Sequence, residues 1–369
     1  MSEAPGSSSD VPAVAPSPLV GRLARTDSFE EQRKSTFAKV AEQVDAEDGA
    51  RALDLLRFCR DQECEFIRTI MAEWRQKLRE LIRQRGADEE SIEEADDRLA
   101  AVLAYPDGSP FDAEEGGGRL DAAFARVSEA LQAAAWSDAR EALQAAFLTW
   151  RQVHDREIDS AYGWMTEFVR RHGEAAVPEM WEAIGRGHFQ EFFELADPER
   201  RSWIGEGRDA VVLDTLEAMR VHLSTPERDG APIDVEERDD RWIFTFDPCG
   251  SGGRAVRGDW NEGTPSRIEP PYEFARIEGA YPWTDGKAGI CVYCNHCQQI
   301  YEQWTMDEAG WPFFVVEPPV YPDNDPDEAR RQRCSYTIYK DPASVPASIY
   351  ERSGRTKPTH LEDGRTNGD

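Results

Sequence analysis

The sequence predicts an α+β fold in two parts: an N-terminal antiparallel helical bundle, then an α+β domain with a small antiparallel sheet and a Cys-rich metal site. Three observations carry this reading. From about residue 28 to residue 172, apolar side chains recur at helical spacing. Around Trp242, Phe244 and Phe246, and again after Cys334, the period falls to two, as in strands. Five of the seven cysteines lie between positions 249 and 334.

The chain divides into a tail (1–27), a helical domain (28–172), a Cys-rich domain (173–350) and a disordered C-terminal tail (351–369). The first tail is rich in Ser, Pro and Gly and reads as disordered. It has no basic segment leading into an apolar one, so it does not read as a secretion signal. Phe37, Val40, Ala41 and Val44 then mark a first helix. A second runs from about Asp48 to Arg85 and stops at Gly86, a residue suited to a C-cap. Ser91 to Leu103 is a short acidic helix, and Tyr105 to Gly118 breaks the chain with Pro, Asp and Gly. Leu120 to Trp136 and Asp138 to Arg171 complete the bundle.

The two long helices share the spacing R-x3-D-x-E, in Arg57, Asp61 and Glu63 and again in Arg151, Asp155 and Glu157. Two readings stand. One is a duplicated helical hairpin, with Arg57–Asp61 and Arg151–Asp155 paired at i,i+4. The other is a carboxylate cluster where two hairpins meet. Cys59 and Cys64, five apart, do not share a face of an α-helix and read as buried small residues. His154, His172 and His188 have no ligand-type spacing and read as structural.

In the second part, Glu174–Phe193 and Asp209–Leu223 are amphipathic helices. Alternation on either side of Asp239 and Asp240 predicts a β-hairpin that runs into Asp247, Pro248 and the turn Cys249-Gly250-Ser251-Gly252-Gly253-Arg254. Gly250, Gly252, Gly253 and Arg254 could form an anion-binding nest. The long stretch from Arg257 to Gly289 carries Trp260, Tyr272, Phe274, Tyr281 and Trp283 and reads as a packed cover over a site. Gln298–Ala309 is a helix, and Trp311–Glu317 and Cys334–Lys340 are strands.

The segment CVYCNHC contributes Cys291, Cys294 and Cys297. With Cys249 on the glycine turn and Cys334 opening the last strand, it offers the four thiolates a tetrahedral zinc needs, with His296 as a substitute ligand. A run of CxxCxxC plus a distant cysteine also fits a [4Fe–4S] cluster, although the ferredoxin-type Cys-Pro is missing. Reduced cysteines packed as small hydrophobes, and thiol catalysis, remain open at this point.

The order of elements from about residue 165 to 340 resembles 4-vinyl reductase-type ligand-binding domains and the L-2-amino-thiazoline-4-carboxylic acid hydrolase-like families. The residues that carry the likeness are Cys334-Ser335-Tyr336 at the start of the last strand, Cys294 or Cys297 before an amphipathic helix, and a strand ending in Glu317. DPCGSGGR and the double CxxC depart from their pattern. The resemblance implies an α+β domain with a small-molecule pocket, used for sensing or for hydrolysis.

A net charge of −29 repels phosphate backbones and anionic lipid, which argues against nucleic acid and membrane as partners. No apolar run approaches the roughly 18 residues that span a bilayer. Reduced cysteines at CxxC spacing place the protein in the cytoplasm. The expected function is a hydrolase- or lyase-like enzyme acting on a small molecule at a Cys-coordinated metal, zinc first, with His296, Glu317 or Asp247 as general base. One alternative is a non-catalytic binding or sensor module whose four cysteines close a structural zinc. The other is an Fe–S redox protein. The helical half could join copies of the chain into a homo-oligomer.

Overall fold

The computed structural model describes residues 11–222, 233–246, 249–259, 262–323 and 332–362. Val14–Pro16 (β1) and Leu23–Arg25 (β2) pair as an antiparallel hairpin, so order begins well inside the stretch expected to be a disordered tail. A short helix, Phe29–Gln32 (α1), leads to Thr36–Asp45 (α2) and Gly49–Phe58 (α3). A π-helical segment, Cys59–Cys64, joins α3 to Glu65–Gln84 (α4). Its wider turn brings residues five apart onto one face. The Cys59 and Cys64 thiols therefore act on each other, against the expectation that they diverge.

Glu89–Val102 (α5) is followed by Ala113–Gln132 (α6), which starts seven residues before the predicted position. The cap explains the difference. Asp112 accepts the Glu115 N–H at 2.8 Å, and Gly116 and Gly117 after it are closely packed. A Cβ on Gly117 would stand 2.5 Å from the Arg68 guanidinium.

Trp136–His172 (α7) spans 37 residues and is buried on all sides from Trp150 to Phe168, apart from the half-buried Gln152. A helix buried all round is the centre of a domain rather than its wall. Helices α2, α4, α5 and α6 pack on it. Val177–Glu194 (α8) and Arg208–Val221 (α9) follow.

Asp234–Glu237 (β3) and Arg241–Phe246 (β4) form the expected hairpin. Gly252–Arg257 (α10) follows the glycine turn. Arg276–Ile277 (β5) pairs with Ile290–Cys291 (β6). A second π-helical segment, Cys297–Gln303, runs into Trp304–Ala309 (α11). Val315–Glu317 (β7) is shorter than predicted, and Cys334–Tyr339 (β8) is the last strand. The main sheet is antiparallel in the order β3-β4-β8-β7. Ala347–Arg352 (α12) and Thr359–Glu362 (α13) close the described chain, so ordered structure enters the region expected to be a polar tail.

Gly173, at φ +77°, ends α7 where the domain boundary was expected. One hydrophobic core nevertheless crosses that point, running from Phe37 and Trp150 to Cys291, Tyr293 and Trp304. A second core lies under the sheet, around Phe244, Phe246, Phe313 and Tyr336.

Candidate functional site

Helices α4, α8 and α9, the cysteine segment and the sheet enclose one cavity. Phe66, Ile70 and Trp74 come from α4, and His188 and Phe192 from α8. Thr215 and Met219 lie on α9, and His222 follows it. Tyr293, Cys294, His296, Cys297 and Tyr301 form the facing wall, with Phe314, Cys334 and Tyr336 from the sheet. The open space is about 80 Å³. That is several times the about 10–15 Å³ a single water needs.

Local structure explains the placement. Strand alternation puts Cys334 and Tyr336 on the same face of β8, opposite Phe246 and Phe244 of β4. The π turn sets Cys297 and Tyr301, four apart, on the cavity. The glycine turn approaches from the side. A Cβ on Gly252 would stand 2.2 Å from Cys294 Sγ, so only glycine permits this contact.

Cys297 is half-buried, whereas the other six cysteines are buried. Its Sγ lies 3.2 Å from His296 Nε2 and 2.8 Å from the Tyr336 hydroxyl, which donates to it. His296 Nδ1 is 2.6 Å from the Tyr293 carbonyl oxygen. A carbonyl only accepts, so Nδ1 carries the proton and Nε2 presents its lone pair to the thiol. Trp74 packs edge-on against the imidazole at 5.5 Å and fixes its plane. Burial lowers the His296 pKa to about 4 and raises the Cys297 thiol well above its ordinary range, an increase that the Tyr336 hydrogen bond offsets in part. The resting pair is a neutral thiol donating to a neutral imidazole.

Two of the other thiols have hydrogen-bond partners of their own. Cys249 Sγ is 3.1 Å from Ser251 Oγ, and Cys291 Sγ accepts the Cys294 N–H at 3.1 Å. Cys249, Cys294, Cys297 and Cys334 all reach the cavity, but Cys291 lies behind it. Tetrahedral zinc with Zn–S bonds of about 2.3 Å requires its donors within about 4 Å of one another. Among the described residues, no group of three or more His, Cys, Asp or Glu side chains could hold a metal ion. As arranged, the described donors do not present the close tetrahedral set that the expected zinc needs.

The remaining expected site residues lie elsewhere. Glu317 pairs with Lys287 and Arg352, and its neighbours Val316 and Pro318 are the ones that line the cavity. Asp247 lies outside the described residues. Arg254 is buried against Asp159 at 2.6 Å and Asp155 at 3.3 Å, so its charge is already matched and it is not offered to an anion. Gly250 supplies a carbonyl to Arg254, and a short helix starts at Gly252 where no helix was expected. The loop expected to cover the site instead supports the cysteine segment from behind. Phe274 packs on Tyr162 at 5.1 Å, and Tyr281 stacks on Trp283 at 4.7 Å. Trp260 lies outside the described residues.

Sequence reasoning missed His222 and read His154 as structural, although it singled out Arg151, Asp155 and Glu157 and the Arg151–Asp155 pair is present. His154 is fully buried, with Nδ1 2.9 Å from Asp155 Oδ1 and Nε2 2.7 Å from His222 Nδ1. Arg151 bridges to both oxygens of Asp259 at 2.7 Å, and Arg267 reaches Asp159 at 2.7 Å. Three guanidinium groups thus face three carboxylates. Burial pushes the Asp155 carboxyl up to about 7 despite Arg254 and Arg151, and lowers His154 to about 3.

Comparison with protein-family models, with curated proteins and with solved structures finds no match. The resemblance to vinyl reductase-type and hydrolase-like domains therefore rests on the quoted residues alone. Among the described residues, no helix is long and apolar enough to cross a membrane.

Proposed function

We propose that the protein is an enzyme that acts on a small, largely apolar molecule through the Cys297 thiol, with His296 as general base. One observation carries this reading. The thiol of half-buried Cys297 hydrogen-bonds to an imidazole whose other nitrogen is anchored by a backbone carbonyl, the arrangement of nucleophile, base and orienting group that activates a thiol.

In the reaction this supports, Cys297 Sγ adds to the carbon of a substrate C=O or conjugated C=C bond while its proton passes to His296 Nε2; the π electron pair moves to the far atom of that double bond, which then takes the proton back from His296. The Tyr336 O–H, already directed at sulfur, stabilises negative charge that develops there. The aromatic walls of Trp74, Phe192 and Phe314 favour a flat or hydrocarbon-rich substrate. Because burial holds the thiol protonated, the base is needed at the moment of attack, and there is no standing ion pair.

The test is alkylation by iodoacetamide followed by peptide mass mapping of the full chain. Cys297 is expected to react first, and His296→Asn to slow it by about 10²-fold, the lower end for loss of a general base. If another cysteine reacts first, or if His296→Asn reacts as fast as the native protein, the reading is wrong. Metal analysis of the purified protein belongs beside it. Stoichiometric zinc or iron would replace the thiol reading with the metal-based one.

A further inference from the structure

A carboxyl in the centre of α7 is joined to the cavity by two imidazoles in series. Asp155 Oδ1 meets His154 Nδ1 at 2.9 Å, and His154 Nε2 meets His222 Nδ1 at 2.7 Å. His222 is on the cavity wall, while Asp155 and His154 are 1% and 0% exposed. The chain crosses two elements 68 residues apart in sequence. The rings are held in place by packing: Trp150 lies edge-on to His154 at 5.4 Å, and its indole N–H donates to the Val221 carbonyl beside His222.

We propose that Asp155, His154 and His222 form a proton relay that gives the cavity a second acid–base group, separate from His296 and backed by a buried proton store.

The hydrogen-bond directions define two states. With Asp155 ionised, His154 Nδ1–H donates to the carboxylate, and its Nε2 accepts from His222 Nδ1–H. His222 Nε2 is then a base. With Asp155 protonated, its O–H donates to His154 Nδ1, and His154 Nε2–H donates to His222 Nδ1. His222 then carries its proton on Nε2 and is an acid. A proton taken up at His222 Nε2 moves the Nδ1 proton of His222 to His154 Nε2, and the Nδ1 proton of His154 to Asp155. One proton enters, one O–H forms, and no ring becomes cationic. Burial favours this route because it lowers the basicity of both imidazoles.

Charged groups face the store from every side. Arg151 Nε is 3.5 Å from Asp155 Oδ2, and Arg254 Nε is 3.3 Å from Oδ1. Asp159 lies one turn on, paired with Arg254 and Arg267, and Asp259 holds Arg151. His296 is the titratable group that acts on His222 across the cavity. Burial pushes the carboxyl up and the two arginines push it down, which leaves it near 7, where a store can both give and take a proton.

The relay deepens the reading of the cavity as a reacting site, and rests on that reading only for what the cavity holds. The test is the histidine side-chain nitrogen spectrum of the full chain, labelled at its six histidines, between pH 5.5 and 8.5. Two rings are expected to pass from the Nε2–H to the Nδ1–H tautomer as pH rises, with one shared midpoint and no imidazolium. In Asp155→Asn that shared step should vanish while the other four rings keep their signals. Separate midpoints, no tautomer change, or a step that persists in Asp155→Asn would each overturn the relay. If the variant does not fold, the native spectrum alone decides. Alkylation of Cys297 does not report on these rings, so the relay and the thiol reading fail independently.

Discussion

The spacing R-x3-D-x-E occurs twice, 94 residues apart, and its two copies end in opposite surroundings. In the copy at Arg57, the arginine is exposed and, among the described residues, pairs with Asp54 at 3.8 Å. Asp61 is solvent-facing and paired with Arg60, and only Glu63 is buried, against Arg220 and Thr36. In the copy at Arg151, all three residues are buried. Arg151 holds Asp259, Asp155 opens the histidine chain, and Glu157 is met by Arg75 and Arg68. The π segment separates the cases. It begins two residues after Arg57 and breaks the i,i+4 geometry that α7 keeps. One spacing therefore yields a solvated face in one helix and a buried charge network in the other. The two copies do not meet as a shared carboxylate cluster.

The comparison can be tested by breaking each copy in turn. The largest effect is expected from Arg254→Met, which leaves Asp155 and Asp159 buried without their shared guanidinium. It should cost about 3–5 kcal/mol in urea unfolding, the usual penalty for breaking a buried ion pair. A loss under about 1 kcal/mol would mean that water reaches the network.

A smaller effect concerns pH. The folded Asp155 binds its proton up to about 7, whereas the unfolded carboxyl releases it near 3.8. Its contribution to stability is therefore complete below the unfolded value and declines as pH rises toward 7. Native protein should lose stability relative to Asp155→Asn as pH rises from about 4 to about 7, and the difference should level off above that. A flat difference would place the Asp155 pKa in the ordinary range. The smallest effect is expected from Asp61→Ala, within about 0.5 kcal/mol, because its ion pair is exposed. A cost above 1 kcal/mol would show that the two copies are more alike than their surroundings indicate.

Much of the fold was legible because it depends on period and caps. The helices, the β3–β4 hairpin and the final strand all follow from spacing that one side of an element must bury. The start of α6 was missed because three glycines read as a break, although Asp112 caps the helix and Arg68 packs over one of them. At the site, the cysteine segment, His296 and the Cys334–Tyr336 strand were found because they are dense or regular in sequence. The metal expectation followed from that same density. Spacing along the chain does not show how the thiols are oriented toward one another, and among the described residues no group of three or more donors is gathered for a metal. His222 could not be paired with His154 from sequence, because 68 residues separate them and only the packing of α9 against the bundle joins them.

The π turn at Cys297–Gln303 has one further consequence. Such a turn amounts to an α-helix holding one residue too many, and an α-helix advances about 100° per residue. Removing a single residue from 298–303 would let the segment relax to α-helix and rotate everything after it by that angle. Cys297 would stay at the cavity, while Trp304 would swing away from the Gly185 face of α8. The surplus residue therefore acts as a gearing: it lets one continuous helix present its first turn to the chemistry and its second to the core.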